Sequence, residues 1–453
     1  MKKSLFTLLI LSFSVALFSQ GEDSIFIKRA SDYILLNGKS YEDLRVLTKQ
    51  VGSRLSGSAG MYKAEAWGLK TLQAAGADKA WLQECMVPHW VRGGKDEAVA
   101  TNRFSKKSLN VLALGNSAGS GNPLTKEVVE VKNFAELETK KDKVKDKIVF
   151  YNYPFNDTYI NTFLAYRDAG IYRSQGPSLA AKYGAAAVIV RSMSNSTDNH
   201  PHTGATRYND SFPKIPAVAI GLQDANWLSE QLKKTGISVA LHTHGKFLPD
   251  TIGHNVIGEL RGSEFPNEYI TVGGHLDSWD AAEGAHDDGA GVVQTIEVLR
   301  TLKALGYKPK RTLRFVLFAN EENGLRGGTK YADEAKAKAE RHIFALESDE
   351  GGFTPVGFGI TASEEQFQKV TAWRPLLVPY GPAEIKRGGG GADIGPLSRT
   401  QGTPVANYIP DSQRYFDYHH AANDVFENVN KRELLLGAIN MTALIYLVDK
   451  YGF

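Results

Sequence analysis

The chain has 453 residues, of which 42% are hydrophobic and 23% charged, and its formal net charge is only +3. This composition is typical of a folded globular protein, and the length predicts two or three domains. Because no Lys/Arg-rich run stands out, we expect no nucleic-acid partner. The single cysteine, Cys85, excludes an internal disulfide and a thiolate metal cluster, and we interpret it as a buried structural thiol.

The first twenty residues, MKKSLFTLLILSFSVALFSQ, predict a secretory signal peptide. Lys2 and Lys3 form a basic start, and residues 5–18 are almost uniformly apolar but few for a membrane span. A membrane anchor is the alternative interpretation. With cleavage near Ser19 or Gln20, we expect an exported protein, secreted or periplasmic, with no membrane contact after cleavage.

Residues 24 to about 83 are predicted to be helical. The segment SYEDLRVLTKQV has apolar residues at helical spacing, with Ser40 as a candidate N-cap and Asp43 in the first turn. The loop GSRLSGSAG separates it from a second helical segment, MYKAEAWGLKTLQAAG, which ends at a glycine.

Between residues 110 and 247 the sequence changes from helical spacing to short apolar runs. The runs KIVFYNYP and AAAVIVRS predict strands, and PAVAIGLQDANWLSEQL predicts a strand followed by a helix. This segment shows no catalytic grouping. His200 and His202, like His242 and His244, stand two residues apart, which could suit a metal on a strand. Without an accompanying carboxylate or third ligand, we interpret all four as exposed polar positions.

Strands and helices alternate from residue 254 to the end, which predicts the α/β class with a doubly wound, mainly parallel sheet. The strands are EYITVGGH, RTLRFVLFANEE and RHIFALESDEGG. Two long amphipathic helices are predicted, GAGVVQTIEVLRTLKALG and KRELLLGAINMTALIYLVDKYG. In the first, Gly306 is the predicted terminator, and one face carries Val292, Ile296, Leu299 and Leu302.

Polar residues follow each of these strands at its carboxyl end, where such sheets bind ligands. They are His275, the pair Glu321 and Glu322, and Asp349, and the loop YHHAANDV adds further histidines and an aspartate. Each feature alone has an ordinary structural explanation, such as a turn cap or a surface loop. Together, imidazole and carboxylate without thiolate favour a catalytic zinc site with ligands enough for two ions.

The motifs GGHLDSWD, GAHDDGAG, RTLRFVLFANEENGLRGG, ESDEGG, GGGGADIGPL and YHHAANDV, with SRLSGS near the start, resemble the co-catalytic zinc aminopeptidases of peptidase family M28. The resemblance spans nearly the whole mature chain. It implies a zinc-aminopeptidase fold in which residues 21–109 and 248–453 form the peptidase domain. Residues 110–247 would be an inserted protease-associated-like domain, a β-rich α/β unit.

The resemblance also implies two Zn²⁺ ions per chain. His275 and Asp349 would bind one ion, Glu322 and His420 the other, and Asp287 would bridge them. In the family a histidine lies four residues before an acid in the last motif, a spacing that favours His420, four before Asp424, over His419.

Other roles follow from the same resemblance. Glu321 would be the general base, and Asp277 would orient His275. The Asp287–Asp288 peptide bond is a candidate cis bond, and His286 would be a neighbour of the metals without binding them.

The run of four glycines at 388–391, which includes Gly390 and Gly391, is expected to line the substrate cleft, where backbone passes close to a peptide. Asp393 could receive a substrate amine, although a turn-stabilising aspartate fits equally well.

The implied function is hydrolysis of the peptide bond beside a free N-terminus, in dipeptides or short peptides. Two ions would lower the pKa of a bridging water and polarise the scissile carbonyl, and Glu321 would move the proton to the leaving amine. A zinc acyltransferase of the glutaminyl-cyclase kind and a non-catalytic receptor on the same fold are the alternatives. The resemblance further implies a homodimer.

Overall fold

The computed structural model describes residues 21–453, so the predicted signal peptide lies outside the described residues. The larger of two sheets has eight strands, ordered β1-β10-β12-β11-β13-β16-β14-β15. The central strands β12, β11, β13 and β16 run parallel, and the flanking strands add antiparallel pairs. In chain order the strands are β1 Lys79–Val91, β10 Lys246–Leu260, β11 Phe265–His275, β12 Arg311–Phe318, β13 Arg341–Glu347, β14 Pro355–Thr361, β15 Glu384–Arg387 and β16 Val405–Pro410.

Helices cover both faces of this sheet, which explains why its central strands are almost uniformly apolar. Alternate residues of β12 enter different clusters: Leu313 and Phe315 pack with the long helices, and Val316 and Phe318 pack on the opposite side. The helices are α1 (residues 21–37), α2 Ser40–Val46, α3 Ala59–Ala74, α8 Ala290–Ala304, α9 Arg326–Ala337, α10 Glu364–Leu377, α11 Gly395–Gln401, α12 Tyr415–Tyr418 and α13 Lys431–Tyr451.

A second eight-stranded sheet lies within the segment between β1 and β10, in the order β3-β2-β9-β5-β6-β7-β8-β4. Both of its faces are buried, since Val149 and Val188 belong to one apolar cluster and Phe150 and Ile189 to another. Its elements are β2 Glu97–Thr101, β3 Lys106–Leu109, β4 Val111–Ala113, β5 Leu124–Val131, α4 Phe134–Thr139, β6 Ile148–Tyr151, α5 Thr162–Ser174, α6 Gly176–Lys182, β7 Ala187–Arg191, β8 Ala217–Ile220, α7 Leu222–Leu232 and β9 Ser238–His242. We call this segment, residues 97–242, the insert.

The predicted strands and helices beyond residue 254 are confirmed, but the N-terminal region differs from the prediction. Residues 79–83 begin the long strand β1 and are not helical, because β1 pairs along its length with β10, a partner about 170 residues away. Strands β2 and β3 pair within the second sheet, so that sheet starts before the predicted boundary at residue 110. Cys85 is buried in β1, as predicted.

The long helix α13 has the length and hydropathy of a membrane span, which the sequence analysis did not recognise. However, 83% of its most apolar window is buried inside the protein, so we interpret it as a core helix. Helix α8 is likewise buried on all sides through most of its length, including polar residues such as Gln294 and Glu297.

Ser40 is not the N-cap of α2, contrary to the prediction. It is the first helical residue, and its buried hydroxyl has no hydrogen-bond partner in the part of the chain that the structure describes. The carboxylate of Glu297 on α8 takes over the capping role, accepting the backbone N–H groups of Lys39 at 2.8 Å and Ser40 at 2.9 Å. The same carboxylate pairs with Arg300 at 2.6 Å, and Arg300 in turn pairs with Asp43.

We predict that Glu297→Gln lowers the free energy of unfolding by about 3 kcal/mol, because it removes the charged acceptor from a buried ion pair and a helix N-terminus. The matched control is Glu264→Gln, which removes an exposed partner of Lys310 and should cost under about 0.5 kcal/mol. Denaturant unfolding of both variants measures the difference. Equal losses in the two variants would contradict the prediction.

Candidate metal centre

The carboxyl ends of three neighbouring parallel strands bring the predicted polar residues together. His275 is the last residue of β11, Glu321 and Glu322 follow β12, and Asp349 follows β13. The register places His275 level with Phe318, at the end of β12. Asp287 reaches the same place from the turn Ala285–Gly289, which leads into α8.

Two groups of side chains with potential metal-binding atoms share Asp287. On one side, His275 Nε2 lies 3.2 Å from Asp287 Oδ1 and 3.2 Å from Asp349 Oδ1. On the other side, His420 Nε2 lies 3.2 Å from Asp287 Oδ2 and 3.0 Å from Glu322 Oε2. The two oxygens of Asp287 therefore face different imidazoles, an arrangement that could hold a pair of cations with this carboxylate between them.

The chemistry of these groups fits a divalent metal. Asp287 Oδ2 and Glu322 Oε1 are buried and have no hydrogen-bond partner within residues 21–453, which is costly for carboxylate oxygens unless a cation is bound. Each imidazole uses its other nitrogen: His275 Nδ1–H donates to the carbonyl of Asp277 at 3.0 Å, and His420 Nδ1–H to that of Thr203 at 3.1 Å. This tautomer leaves both Nε2 lone pairs for a metal, and nitrogen with carboxylate oxygen is a donor set that zinc accepts.

Electrostatics favour a cation in the same place. Burial alone would lower the pKa of both histidines, but the carboxylate of Asp349 raises the pKa of His275 and that of Glu322 raises the pKa of His420, each well above its ordinary value. Burial and the nearby Asp287 raise the pKa of Glu322 to about 7. Protons and metal ions therefore compete for this pocket.

Buried carboxylates behind the ligands fix the backbone. Asp288 accepts the backbone N–H of His275 at 3.0 Å, and Asp424 accepts those of His286 at 2.7 Å and Asp287 at 3.1 Å. The Asp287–Asp288 peptide bond is cis, as the resemblance implied.

Arg54, in the SRLSGS motif, adds a second support. It is fully buried and donates to the carbonyls of Leu276, Glu283 and Gly284, which lie in the loop between the predicted ligands His275 and Asp287. No role for Arg54 or for the Asp288 carboxylate was predicted from the sequence, although both residues lie within the family motifs.

Asp277 contacts His275, the residue that it was expected to orient, through its backbone. It orients His275 through its backbone carbonyl, whereas its carboxylate lies 3.8 Å from the ring. That carboxylate accepts the backbone N–H groups of Glu321 at 3.0 Å and Glu322 at 3.3 Å. Asp277 therefore positions the predicted base and a predicted ligand through their backbone.

The insert contributes to the centre, which the sequence analysis did not foresee. Thr203 N–H donates to the carbonyl of His420 at 2.9 Å while Thr203 accepts from the ring of His420, so the two residues bond reciprocally. This pairing holds His420 in the left-handed conformation, at φ +63°.

His202, predicted to be exposed, is in fact buried and donates from Nδ1 to the carbonyl of His419 at 2.7 Å. Burial lowers its pKa to about 4, so the ring stays neutral and keeps this hydrogen bond. His286 uses both ring nitrogens in hydrogen bonds, with Gly352 N–H and the carbonyl of Asn428, and has none free for a metal.

Asp393 lines neither of the two cavities found beside the centre, and its burial opposes the expectation that it could meet a substrate amine. Its side chain is fully buried, and neither carboxylate oxygen has a hydrogen-bond partner among the described residues. Burial together with the nearby Glu347 raises its pKa well above the usual range. Gly390 adopts φ +139°, and a Cβ on Gly391 would collide with the carboxylate of Glu347. Close packing within the protein thus accounts for part of the glycine run.

Two adjoining cavities open at the centre. The metal-side cavity, about 430 Å³, is bounded by Asp287, Glu321, Glu322, Asp349 and His420 on the peptidase side and by residues of the insert on the other. The glycine-side cavity, about 910 Å³, is lined by residues 388–391 and Glu350. Phe163 of the insert lines both.

Comparison with known proteins places the chain in a family. The profile of peptidase family M28 matches residues 255–445. Human carboxypeptidase Q (Homo sapiens) is 36% identical over 90% of this chain and 85% of its own length. The crystal structure of a peptidase M28 precursor from Shewanella amazonensis superposes with a TM-score of 0.90 at 30% identity, covering 96% of this chain and 98% of that one.

A zinc aminopeptidase from Bacillus subtilis shares the fold, with a TM-score of 0.65 at 21% identity over 90% of this chain and 94% of that chain. The predicted zinc-aminopeptidase fold is thereby confirmed. The chain belongs to peptidase family M28, as its motifs indicated, and is a metallo-exopeptidase.

Proposed function

We propose that the protein is an exported, co-catalytic di-zinc exopeptidase that cleaves dipeptides or short peptides next to a free N-terminus. The observation that carries this proposal is the shared position of Asp287, which faces His275 with one oxygen and His420 with the other. His275, Asp287 and Asp349 would hold one ion, and Asp287, Glu322 and His420 the second. The bound ions would supply Lewis acidity toward a water and the scissile carbonyl.

Glu321 is the group that we assign to proton transfer. Its backbone N–H is bonded to Asp277, while its carboxylate makes no hydrogen bond within residues 21–453 and faces the metal-side cavity. Burial, with a contribution from Asp349, raises its pKa well above the ordinary value. Glu321 can therefore take a proton from the attacking water and pass it to the leaving amine.

Export is part of the same proposal and rests on the signal-like residues 1–20. The predicted homodimer stays a prediction.

We predict that Glu321→Gln lowers kcat for a free dipeptide by about 10²- to 10⁴-fold while the bound zinc is unchanged, because the amide cannot accept the proton. The matched control is Glu365→Gln, an exposed glutamate near the start of α10, which should behave as the unaltered protein.

The assay pairs each dipeptide with its N-acetylated form, and zinc is counted by elemental analysis. The proposal predicts cleavage of free dipeptides only. A fully zinc-loaded protein that cleaves no peptide, or that releases ammonia from an N-terminal glutamine without cleavage, would contradict it.

Neighbouring histidines allow a test of the ligand assignment. His419 Nε2 lies 3.6 Å from Asp287 Oδ2, farther than His420 Nε2 at 3.2 Å, and the two rings stack at 3.5 Å. We predict that His420→Ala weakens binding of one zinc ion by more than about 100-fold, whereas His419→Ala changes it by less than about 10-fold. Zinc titration against a competing chelator measures both, and the reverse order would assign the ligand to His419.

A further inference from the structure

The insert places two arginines on the metal-side cavity, opposite the carboxylates of the peptidase domain. Arg173 and Arg207 line this cavity together with Ser174 and Tyr166. Neither guanidinium forms an ion pair with a carboxylate in residues 21–453, the part of the chain that the structure describes. The cavity therefore has an acidic, metal-binding wall and a cationic wall.

The guanidinium of Arg173 is used in hydrogen bonds within the protein. Its Nη1 donates to the carbonyl of Thr203 at 3.2 Å and its Nη2 to the hydroxyl of Tyr166 at 2.6 Å. Since Thr203 also accepts from the ring of His420, Arg173 supports the metal centre from behind.

The side chain of Arg207 makes no such hydrogen bonds within residues 21–453. Its backbone N–H donates to the carbonyl of Ser174 at 2.8 Å, but its guanidinium has no hydrogen bond, ion pair or aromatic contact among the described residues. The side chain is exposed at the cavity wall. A guanidinium in this state has all five N–H donors available for a ligand.

The charge of the cavity points to an anionic ligand. Under the proposed function, on which this inference rests, two Zn²⁺ ions offset the charges of Asp287, Glu321, Glu322 and Asp349. The charges of Arg173 and Arg207 then remain without a protein counter-ion in the cavity. Arginine binds carboxylates through two parallel hydrogen bonds, so a carboxylate is the ligand that this wall recognises best.

We propose that Arg207 binds the free C-terminal carboxylate of the substrate, so that the insert selects dipeptides. An extended dipeptide is about 7 Å long, so its carboxylate lies within a few ångströms of the bond that is cut. A carboxylate further along a longer peptide would fall beyond this wall. The metal-side cavity, about 430 Å³, is of the size that small ligands occupy.

Three substrates distinguish recognition of a C-terminal carboxylate from recognition of a side-chain carboxylate. Ala-Leu has a free C-terminus, Ala-Leu-amide has none, and Ala-Glu-amide has a carboxylate only on its side chain. Each is assayed with the zinc-loaded full-length mature protein and with Arg207→Gln, Arg207→Lys and Arg103→Gln. Arg103 is an exposed arginine of the insert that lies over the ring of Phe104 and lines neither of the two cavities, so it controls for loss of positive charge.

The unaltered protein should prefer Ala-Leu over Ala-Leu-amide by about 10- to 100-fold in kcat/KM, mainly through KM. Arg207→Gln should remove this preference by lowering kcat/KM for Ala-Leu alone, Arg207→Lys should restore part of it, and Arg103→Gln should match the unaltered protein.

Equal cleavage of Ala-Leu and Ala-Leu-amide by the unaltered protein would overturn the role of Arg207 while leaving the peptidase proposal in place. A selective effect of Arg207→Gln on Ala-Glu-amide would overturn it in favour of side-chain recognition. Failure of the unaltered protein to cleave any of the three would overturn the peptidase proposal and this inference with it.

Discussion

The structure depends on the gathering of carboxylates at one edge of the main sheet. Asp287, Glu322 and Asp349 converge there on two imidazoles, and Glu321 stands beside them. Isolated like charges at this density would oppose folding, because burial and mutual repulsion both disfavour the ionised forms. Divalent cations relieve that cost, and the positions of the surrounding groups follow from the need to hold the carboxylates in place for them.

Backbone hydrogen bonds provide much of that support. Asp288, Asp424 and Asp277 are buried, and each accepts two backbone N–H groups in the segments that carry the ligands and the base. None of the three belongs to the two groups of candidate metal-binding side chains. With the two ions that we propose, this division explains why the motifs contain more acids than the ions need: some would bind metal, and others fix the chain that carries them.

Much of the site could be predicted from sequence because each ligand lies within a few residues of a strong local pattern. Apolar runs identified β11, β12 and β13, and the polar residue after each run marked the site. Side-chain contacts between distant segments left no such pattern. The capping of α2 by Glu297, the burial of His202 and the support of His420 by Thr203 all join segments far apart in the chain. Asp277 and Asp393 were found by motif, but only the packing showed the hydrogen bonds of Asp277 and the burial of Asp393.

The insert is part of the centre as well as a cover for it. Thr203 and His202 hold the segment that carries His420, and Arg173 and Arg207 give the cavity its cationic wall. A second sheet, joined to the peptidase domain through the strands β1 and β10, thereby shapes both the metal site and the space open to a substrate.

The most direct test of the central claim is an anomalous-scattering map at the zinc edge from crystals of the zinc-loaded protein. A pair of zinc ions should give two peaks about 3.5–4 Å apart on either side of Asp287, one about 2.0–2.1 Å from His275 Nε2 and the other at that distance from His420 Nε2. A single peak, or peaks that do not share Asp287, would contradict the claim.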